Sequence, residues 1–524
     1  MSVTVCIPTA GTGSRLGEKT RYLNKSLMSV GYRPVLARLI DSFPEDAEFV
    51  IALGSKGDLV VEFLELAYPD RVFHFARVDP FEGPGSGLGL SLLACRDYLQ
   101  KPFLFISCDT LVVETPPLPD HDWMGWAERE DLSAYRTLRL EDDHIEAVLE
   151  KGLASSDRDK AYIGLAGIAH YQEFWDAMAS GGEEAIACGE SWGFARLLQN
   201  GQAVKAWPFT WRDTGSAAGL EAADAAFRDA DGPNILDKPD EAIWFVNGNV
   251  IKYSNSPTFI AQRVARAEHL KGYAPVVTGT TAHMYRYRKA EGDVFSKIVD
   301  PVLFRRLLAH SREFWAPKPP DDAEQFRKGC MAFYKDKTFE RVNQFYTTFD
   351  RKDGTEPING VPMPRLEELF AKMDWDWLAD GLPGRFHGDF HFENILMDRT
   401  NERFTFLDWR QNFADSLETG DIYYDFAKLE HGLIVNHEII AKNQFSAHWD
   451  KGEIRFDLMR RHALILCEQA FARWLSENVY DVRKVHVLTA LIYLNIAALH
   501  HYPYCLLLYG LGKSMLFEQV GEGA

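Results

Sequence analysis

The feature that most constrains the fold is an alternation of short apolar strands and helical segments over the first hundred residues. Residues 3–8 read as a strand running into the glycine-rich turn Ala10-Gly11-Thr12-Gly13-Ser14-Arg15. A helical segment (35–43), a strand (48–53) and a second helix (59–66) follow. After a glycine-rich loop at 82–89 come a helix at 90–99 and a strand at 103–107. Strands that alternate with helices imply a mostly parallel sheet covered on both faces. Its ligands are expected at the carboxyl ends of the strands, where the loops lie.

The pattern changes near 229–240, where Pro, Gly and charged residues read as a linker. Beyond it, 242–253 reads as two strands around Asn247-Gly248, a strong hairpin signal. A helix is expected at 260–271, a strand at 283–287, and long aromatic-rich helices from Pro301 onward. A chain of 524 residues is too long for one ordinary core. The expected division is therefore 1–230, a linker at 231–240, and 241–524, with a small lobe to about 290 and a helical lobe beyond it. Residues 488–511 are apolar, but Asn495, His500, His501 and Pro503 interrupt them, so a buried helix is expected in place of a membrane span. The N-terminus lacks the basic start of a secretory signal. Seven scattered cysteines with no C-x-x-C pair fit reduced thiols in the cytoplasm and give no support to zinc. A net charge of -19 argues against nucleic acid and anionic lipid as partners. Self-association is left open.

Glycines let a backbone approach phosphate closely, and successive N–H groups form an anion cradle. A turn such as Gly11-x-Gly13-x-Arg15 does this or serves tight packing alone. Lys25 follows it, Asp109 ends a strand, and Asp213 stands in Trp211-Arg212-Asp213-Thr214-Gly215. In this order the elements resemble the nucleotidyltransferase family that makes NDP-sugars and CDP-alcohols, over residues 1 to about 228. The resemblance implies a Rossmann-like domain in which Ala10, Gly11, Gly13, Gly83, Gly85 and Gly87 bind nucleotide. It further implies that Arg15 and Lys25 neutralise developing charge, and that Asp109 and Asp213 hold Mg²⁺. Lys151 and Gly164 resemble the substrate-domain lysine and glycine strand. The family often has Pro-Lys where this chain has Asn24-Lys25. CTP is the preferred donor, with other nucleoside triphosphates open.

The strongest local motif is His387-Gly388-Asp389-Phe390-His391-Phe392-Glu393-Asn394, followed by the strand Phe404-Thr405-Phe406-Leu407 and Asp408. It resembles the aminoglycoside phosphotransferase and choline kinase superfamily. That resemblance implies a bilobal, protein-kinase-like α+β domain using Mg²⁺ and ATP. Asp389 would orient or deprotonate the acceptor hydroxyl, and Asn394 and Asp408 would bind metal. Lys252 would hold the α/β-phosphates with Glu268 as ion-pair partner, unless both are solvated charges. Tyr285 and Tyr287 would lie on the hinge strand that reads adenine. Arg410 stands where the family often has an acid. The tryptophans of the helical region read as core more readily than as a cation–π cage. Together the motifs imply a bifunctional enzyme, one half phosphorylating an alcohol, amino alcohol or sugar and the other adding a nucleoside monophosphate. Activated precursors of this sort feed surface polysaccharide or lipid decoration. A sugar kinase fused to an NDP-sugar-forming enzyme and a nucleotide-sensing regulator are the alternatives.

Overall fold

The computed structural model describes residues 3–228, 238–450 and 452–521. Most of the expected linker therefore lies outside the described residues. The chain forms two compact units: Met1–Pro257 with Thr278–Tyr287, and Thr258–Val277 with Arg288–Ala524.

The first unit is built on a nine-stranded sheet. Its first four strands, in the order Val72–Arg77, Glu48–Leu53, Thr4–Pro8 and Phe103–Ile106, are parallel. Parallel strands covered on both faces are apolar throughout, and Thr4–Pro8 and Phe103–Ile106 are buried at every position. Alternate side chains serve two different cores. Val5, Ile7, Ile51, Leu104 and Ile106 pack on one face, and Cys6, Val50, Ala52, Phe103 and Phe105 on the other. Beyond Phe103–Ile106 the sheet becomes mixed, because the long strand Asp159–Ile168 returns antiparallel to it and to Trp123–Ala127. The parallel run expected from the sequence thus spans the first four strands and is interrupted there, with one further parallel pair between Trp123–Ala127 and Lys205–Pro208. The turn 9–15 and residues 107–109 leave the carboxyl ends of adjacent parallel strands, which puts both at one edge of the sheet.

A second, four-stranded sheet belongs to this unit by packing. Glu241–Val246 and Asn249–Ser254 form the expected hairpin, and Asn247 and Gly248 take positive φ values of 52° and 70°. Consecutive left-handed residues match the twist of the flanking strands. Met284–Arg288 and Val277–Thr280 complete the order. Trp244 is fully buried, packs edge-on to Phe63 at 5.3 Å and donates Nε1–H to Ser29 Oγ at 3.0 Å. The Phe245 N–H donates to Tyr32 O at 2.9 Å and the Tyr253 hydroxyl to Tyr22 O at 2.7 Å. Division by activity at 231–240 is a proposal; by packing, these strands sit with the residues before the linker.

The second unit is mostly helical. Ile395–Asp398 and Arg403–Phe406 form a hairpin, and Pro301–Phe314, Ile422–Ile434, His462–Glu477, Val482–Ala497 and Tyr504–Val520 are among its longer helices. The apolar stretch expected as one helix at 488–511 is two. Pro503 disfavours helix at Tyr502 and cannot donate a backbone bond, so the chain breaks and re-enters. Among the described residues no helix is long and apolar enough to cross a membrane.

Candidate active sites

In the first unit the strands Thr110–Val112 and Trp211–Asp213 pair antiparallel, with Asp213 opposite Thr110. The Thr214 N–H and hydroxyl both donate to Asp109 O, at 2.9 and 3.0 Å. This ladder brings together two carboxylates that lie a hundred residues apart in sequence. Asp213 Oδ1 accepts from the Gly215 N–H at 2.8 Å and Oδ2 from the Tyr135 hydroxyl at 3.2 Å. A Cβ on Gly215 would stand 2.9 Å from Asp109 Oδ2, 3.1 Å from Asp213 Oδ1 and 3.2 Å from an Arg15 guanidinium nitrogen. Three predicted site residues therefore converge on a position only glycine leaves open.

Lys25 Nζ lies 3.1 Å from Asp109 Oδ2, and Arg15 reaches the same oxygen at 4.0 Å. Burial opposes both charges, but mutual attraction wins. Lys25 is held above the ordinary lysine range by Cys108 and Asp109, and Asp109 below the usual carboxylate range by Lys25 and Arg15. Asn24, the departure from Pro-Lys, has its own role. Its Nδ2 donates to Thr9 O and Ser55 O at 2.9 and 2.7 Å, and its Oδ1 accepts from the Ser26 N–H at 2.9 Å. An amide thus fastens the lysine loop to the strand ends.

These groups border a cleft of about 540 Å³ that is also lined by Ala10, Gly11, Gly83, Gly87, Lys151 and Gly164. Gly13 and Gly85 stand outside the lining; their φ values of 70° and 84° suit the turns that shape it. Sequence reasoning missed Tyr135 on Asp213. It also missed Glu190 and Tyr162 in the cleft wall, where burial pushes the Glu190 carboxyl up to about 7. Tyr162 stands two residues before Gly164 on the glycine strand, whereas Glu190 lies in no local motif.

In the second unit the Asp389 loop is clamped from below. Asp425, fully buried, accepts from the His387 and Gly388 N–H groups at 2.6 and 2.7 Å and from Trp315 Nε1 at 3.1 Å. Burial pushes its carboxyl up to about 6. Asp421 accepts from the Leu382 N–H at 2.8 Å and the Tyr334 hydroxyl at 2.6 Å. Asn394 Nδ2 donates to Asp389 O at 3.0 Å and to its Oδ2 at 3.3 Å, while Lys428 Nζ lies 2.9 Å from Oδ1. The Leu407 N–H donates to Asn394 O at 2.7 Å, which draws the Asp408 segment alongside. Asp408 takes a left-handed φ of 59°, a costly conformation for a non-glycine residue of the kind that gathers at functional sites. Its Oδ1 lies 3.2 Å from Arg263.

Residues 333–456 match the model of the phosphotransferase enzyme family. This region is a phosphotransferase domain. It contains Asp389, Asn394 and Asp408, and makes the chain an enzyme. Curated protein sequences include no match to the chain. Solved structures resemble its N-terminal region. An apo UDP-glucose pyrophosphorylase is 19% identical, with 43% of this chain and 98% of that one covered at a TM-score of 0.37. The CTP:phosphocholine cytidylyltransferase of Streptococcus pneumoniae is 16% identical over 44% of this chain and 100% of its own, TM-score 0.37. The inositol-1-phosphate CTP transferase of T. maritima is 14% identical over 44% and 98%, TM-score 0.36.

The remaining predicted residues are placed as follows. Lys252 is buried on the inner strand Asn249–Ser254 of the four-stranded sheet, opposite Ile243. Tyr285 and Tyr287 are buried on the neighbouring strand with ring centroids 6.2 Å apart. Glu268 is exposed on the helix Pro257–His269. Sequence reasoning missed three cations around the phosphotransferase domain's acids: Arg263 at Asp408, and Lys428 and His391 at Asp389. Only His391 lies inside the motif. Trp315 and Trp409 are core, each 1% exposed, and donate to Asp425 and to Arg263 O.

Proposed function

We propose that the chain is a bifunctional enzyme. The phosphotransferase domain converts a small alcohol or amino alcohol to its phosphate with MgATP. The N-terminal unit then transfers CMP from CTP to that phosphate, releasing pyrophosphate. The product is an activated precursor for surface polysaccharide or lipid decoration. The observation that carries this reading is the convergence of Asp109, Asp213 and Arg15 on Gly215, with Lys25 beside them, in a chain that also carries a phosphotransferase domain.

Among the described residues no group of three or more His, Cys, Asp and Glu stands ready to hold a metal alone. A pair of hard oxygen ligands with room for phosphate and water suits Mg²⁺, which keeps much of its own hydration. Asp109 and Asp213 would hold it in the first site, and Asn394 and Asp408 in the second. The metal would neutralise charge on the phosphates. In the first site the nucleophile is already an ionised phosphate, so no base is needed. Lys25 and Arg15 oppose the repulsion between the two anions and stabilise the charge that builds on the leaving pyrophosphate. In the second site Lys428 and His391 hold the Asp389 carboxyl well below its ordinary range, against the burial that would raise it. So weak a base contributes mainly by orienting the acceptor hydroxyl and taking its proton late, as loose phosphoryl transfer requires.

The test is mass spectrometry of products formed from ATP with a panel of alcohols, amino alcohols and sugars. CTP, UTP, dTTP and GTP are then supplied separately. A CDP-linked product supports the reading. An NDP-sugar in its place would select the sugar kinase alternative, and no consumption of either nucleotide would leave a nucleotide-sensing role.

A further inference from the structure

The phosphotransferase domain gathers more positive charge beside Asp389 than its carboxylates match. Lys337 opens the helix Lys337–Thr348 and Arg341 follows one turn later. Lys428 comes from Ile422–Ile434, and Arg410 follows the Asp408 segment. Lys337 Nζ lies 4.1 Å from the centroid of the Phe333 ring and Arg410 Cζ 4.6 Å from the same centroid, so one aromatic ring holds two cations. Phe333 itself sits in a π-helical turn, Ala332–Asp336, a rare conformation that is frequent at functional sites. The Cβ of Arg410 lies 2.5 Å from where a Cβ on Gly388 would stand, next to Asp389 in the chain.

Lys428 is already paired with Asp389. Among the described residues no carboxylate pairs with Lys337, Arg341 or Arg410; Arg410 donates to Asn412 O at 3.1 Å and Arg341 to Gln344 Oε1 at 2.6 Å. Gathering partly buried cations without counter-ions is costly. Lys337 registers that cost, its ammonium being pushed down to about 7 by burial and then by Arg410, Lys428 and Arg341. The arrangement suits a ligand that brings negative charge. Asn394 and His391 approach Asp389 at Oδ2, whereas Lys428 approaches at Oδ1.

We propose that the acceptor alcohol carries a permanent anionic group, a carboxylate or phosphonate, held by Lys337, Arg341 and Arg410 while its hydroxyl meets Asp389. This rests on the reading of Asp389 as the residue that orients the acceptor. The hydroxyl oxygen bonds to the γ-phosphorus of ATP, the bond from that phosphorus to the β,γ-bridging oxygen breaks, ADP leaves, and the hydroxyl proton passes to Asp389. A quaternary ammonium alcohol would meet like charge here and is excluded.

The experiment gives the full-length chain MgATP with glycerate, 2-hydroxyethylphosphonate, glycerol or choline, reading ADP release and product mass. At least one anionic alcohol should exceed glycerol and choline in kcat/KM by about 100-fold, the scale of one unpaired charge in a binding site. Lys337→Met should raise the KM for that alcohol at least about tenfold without lowering Tm, and Lys337→Arg should recover most of it. A preference for glycerol or choline overturns the proposal, as does a rise in the KM for ATP in place of the acceptor. If none is phosphorylated, calorimetry with glycerate and 2-hydroxyethylphosphonate decides. Binding that disappears in Lys337→Met keeps the anion site and removes the kinase role of Asp389; no binding to the unaltered chain sinks the anion site itself.

Discussion

The two sites solve the same problem, crowded negative charge, with different materials. In the first unit the acids are brought together by a short strand ladder and a glycine, and the balancing cations, Lys25 and Arg15, come from the same loop region as the glycine turn. In the second, the acids lie on one loop and an adjacent hairpin, and besides His391 of the loop itself their cations come from distant helices: Arg263 on Asp408, Lys428 on Asp389. The first site depends on backbone geometry and the second on a network of buried side chains. Substitutions should reveal this difference.

The sharpest break is expected from Asp389→Asn, which should lower phosphorylation about 10³–10⁴-fold while leaving nucleotidyl transfer from a supplied phosphate intact. Asp109→Asn should do the reverse, lowering nucleotidyl transfer on the order of 10³-fold. Assaying both half-reactions in both variants checks independence; loss of both activities in either one would contradict it. Trp244→Ala should destabilise the first unit by about 3–5 kcal/mol, seen as a lower Tm, because it empties a fully buried site shared with Phe63. Gly215→Ala should cost roughly 10–100-fold in nucleotidyl transfer with little change in Tm, since the nearest neighbours of the added methyl are the ends of Asp109, Asp213 and Arg15. That outcome would mark the first site as one of fit. The smallest effect concerns pH. Lys337 is lowered from the ordinary 10.5 to about 7, chiefly by burial and then by Arg410, Lys428 and Arg341, with Asp389 opposing. The unfolded chain binds the extra proton between these values, so this group makes stability rise as pH climbs from 7 towards 10.5. Affinity for an anionic acceptor should move the other way, its KM rising about tenfold between pH 6 and 8. Parallel melts and initial rates would show whether the two slopes oppose.

The sequence was most informative where local chemistry determines local structure. Asn247-Gly248 specifies its own turn. Residues 48–53 form the expected strand, with Phe49 and Ile51 in one core and Val50 and Ala52 in the other. The loop from His387 to Asn394 carries its motif in eight consecutive residues. What escaped depends on contacts between distant residues. Nothing near Lys428 marks it as the partner of Asp389, and nothing near Tyr135 points to Asp213. The break between Val482–Ala497 and Tyr504–Val520 was visible in Pro503, but the apolar residues on either side obscured it. The sheet at 241–254 and 277–287 was found as strands, whereas its attachment required knowing that Phe63, Ser29 and Tyr32 had places for Trp244 and Phe245.

That attachment bears on how such a protein can be taken apart or recombined. Cutting the gene at the Pro- and Gly-rich junction would strip the N-terminal half of strands that fill its own core, leaving the seat of Trp244 open to water. A working exchange of one catalytic half for another would have to carry the hairpin and its neighbouring strands along with the sheet they complete, although they follow the linker in the chain.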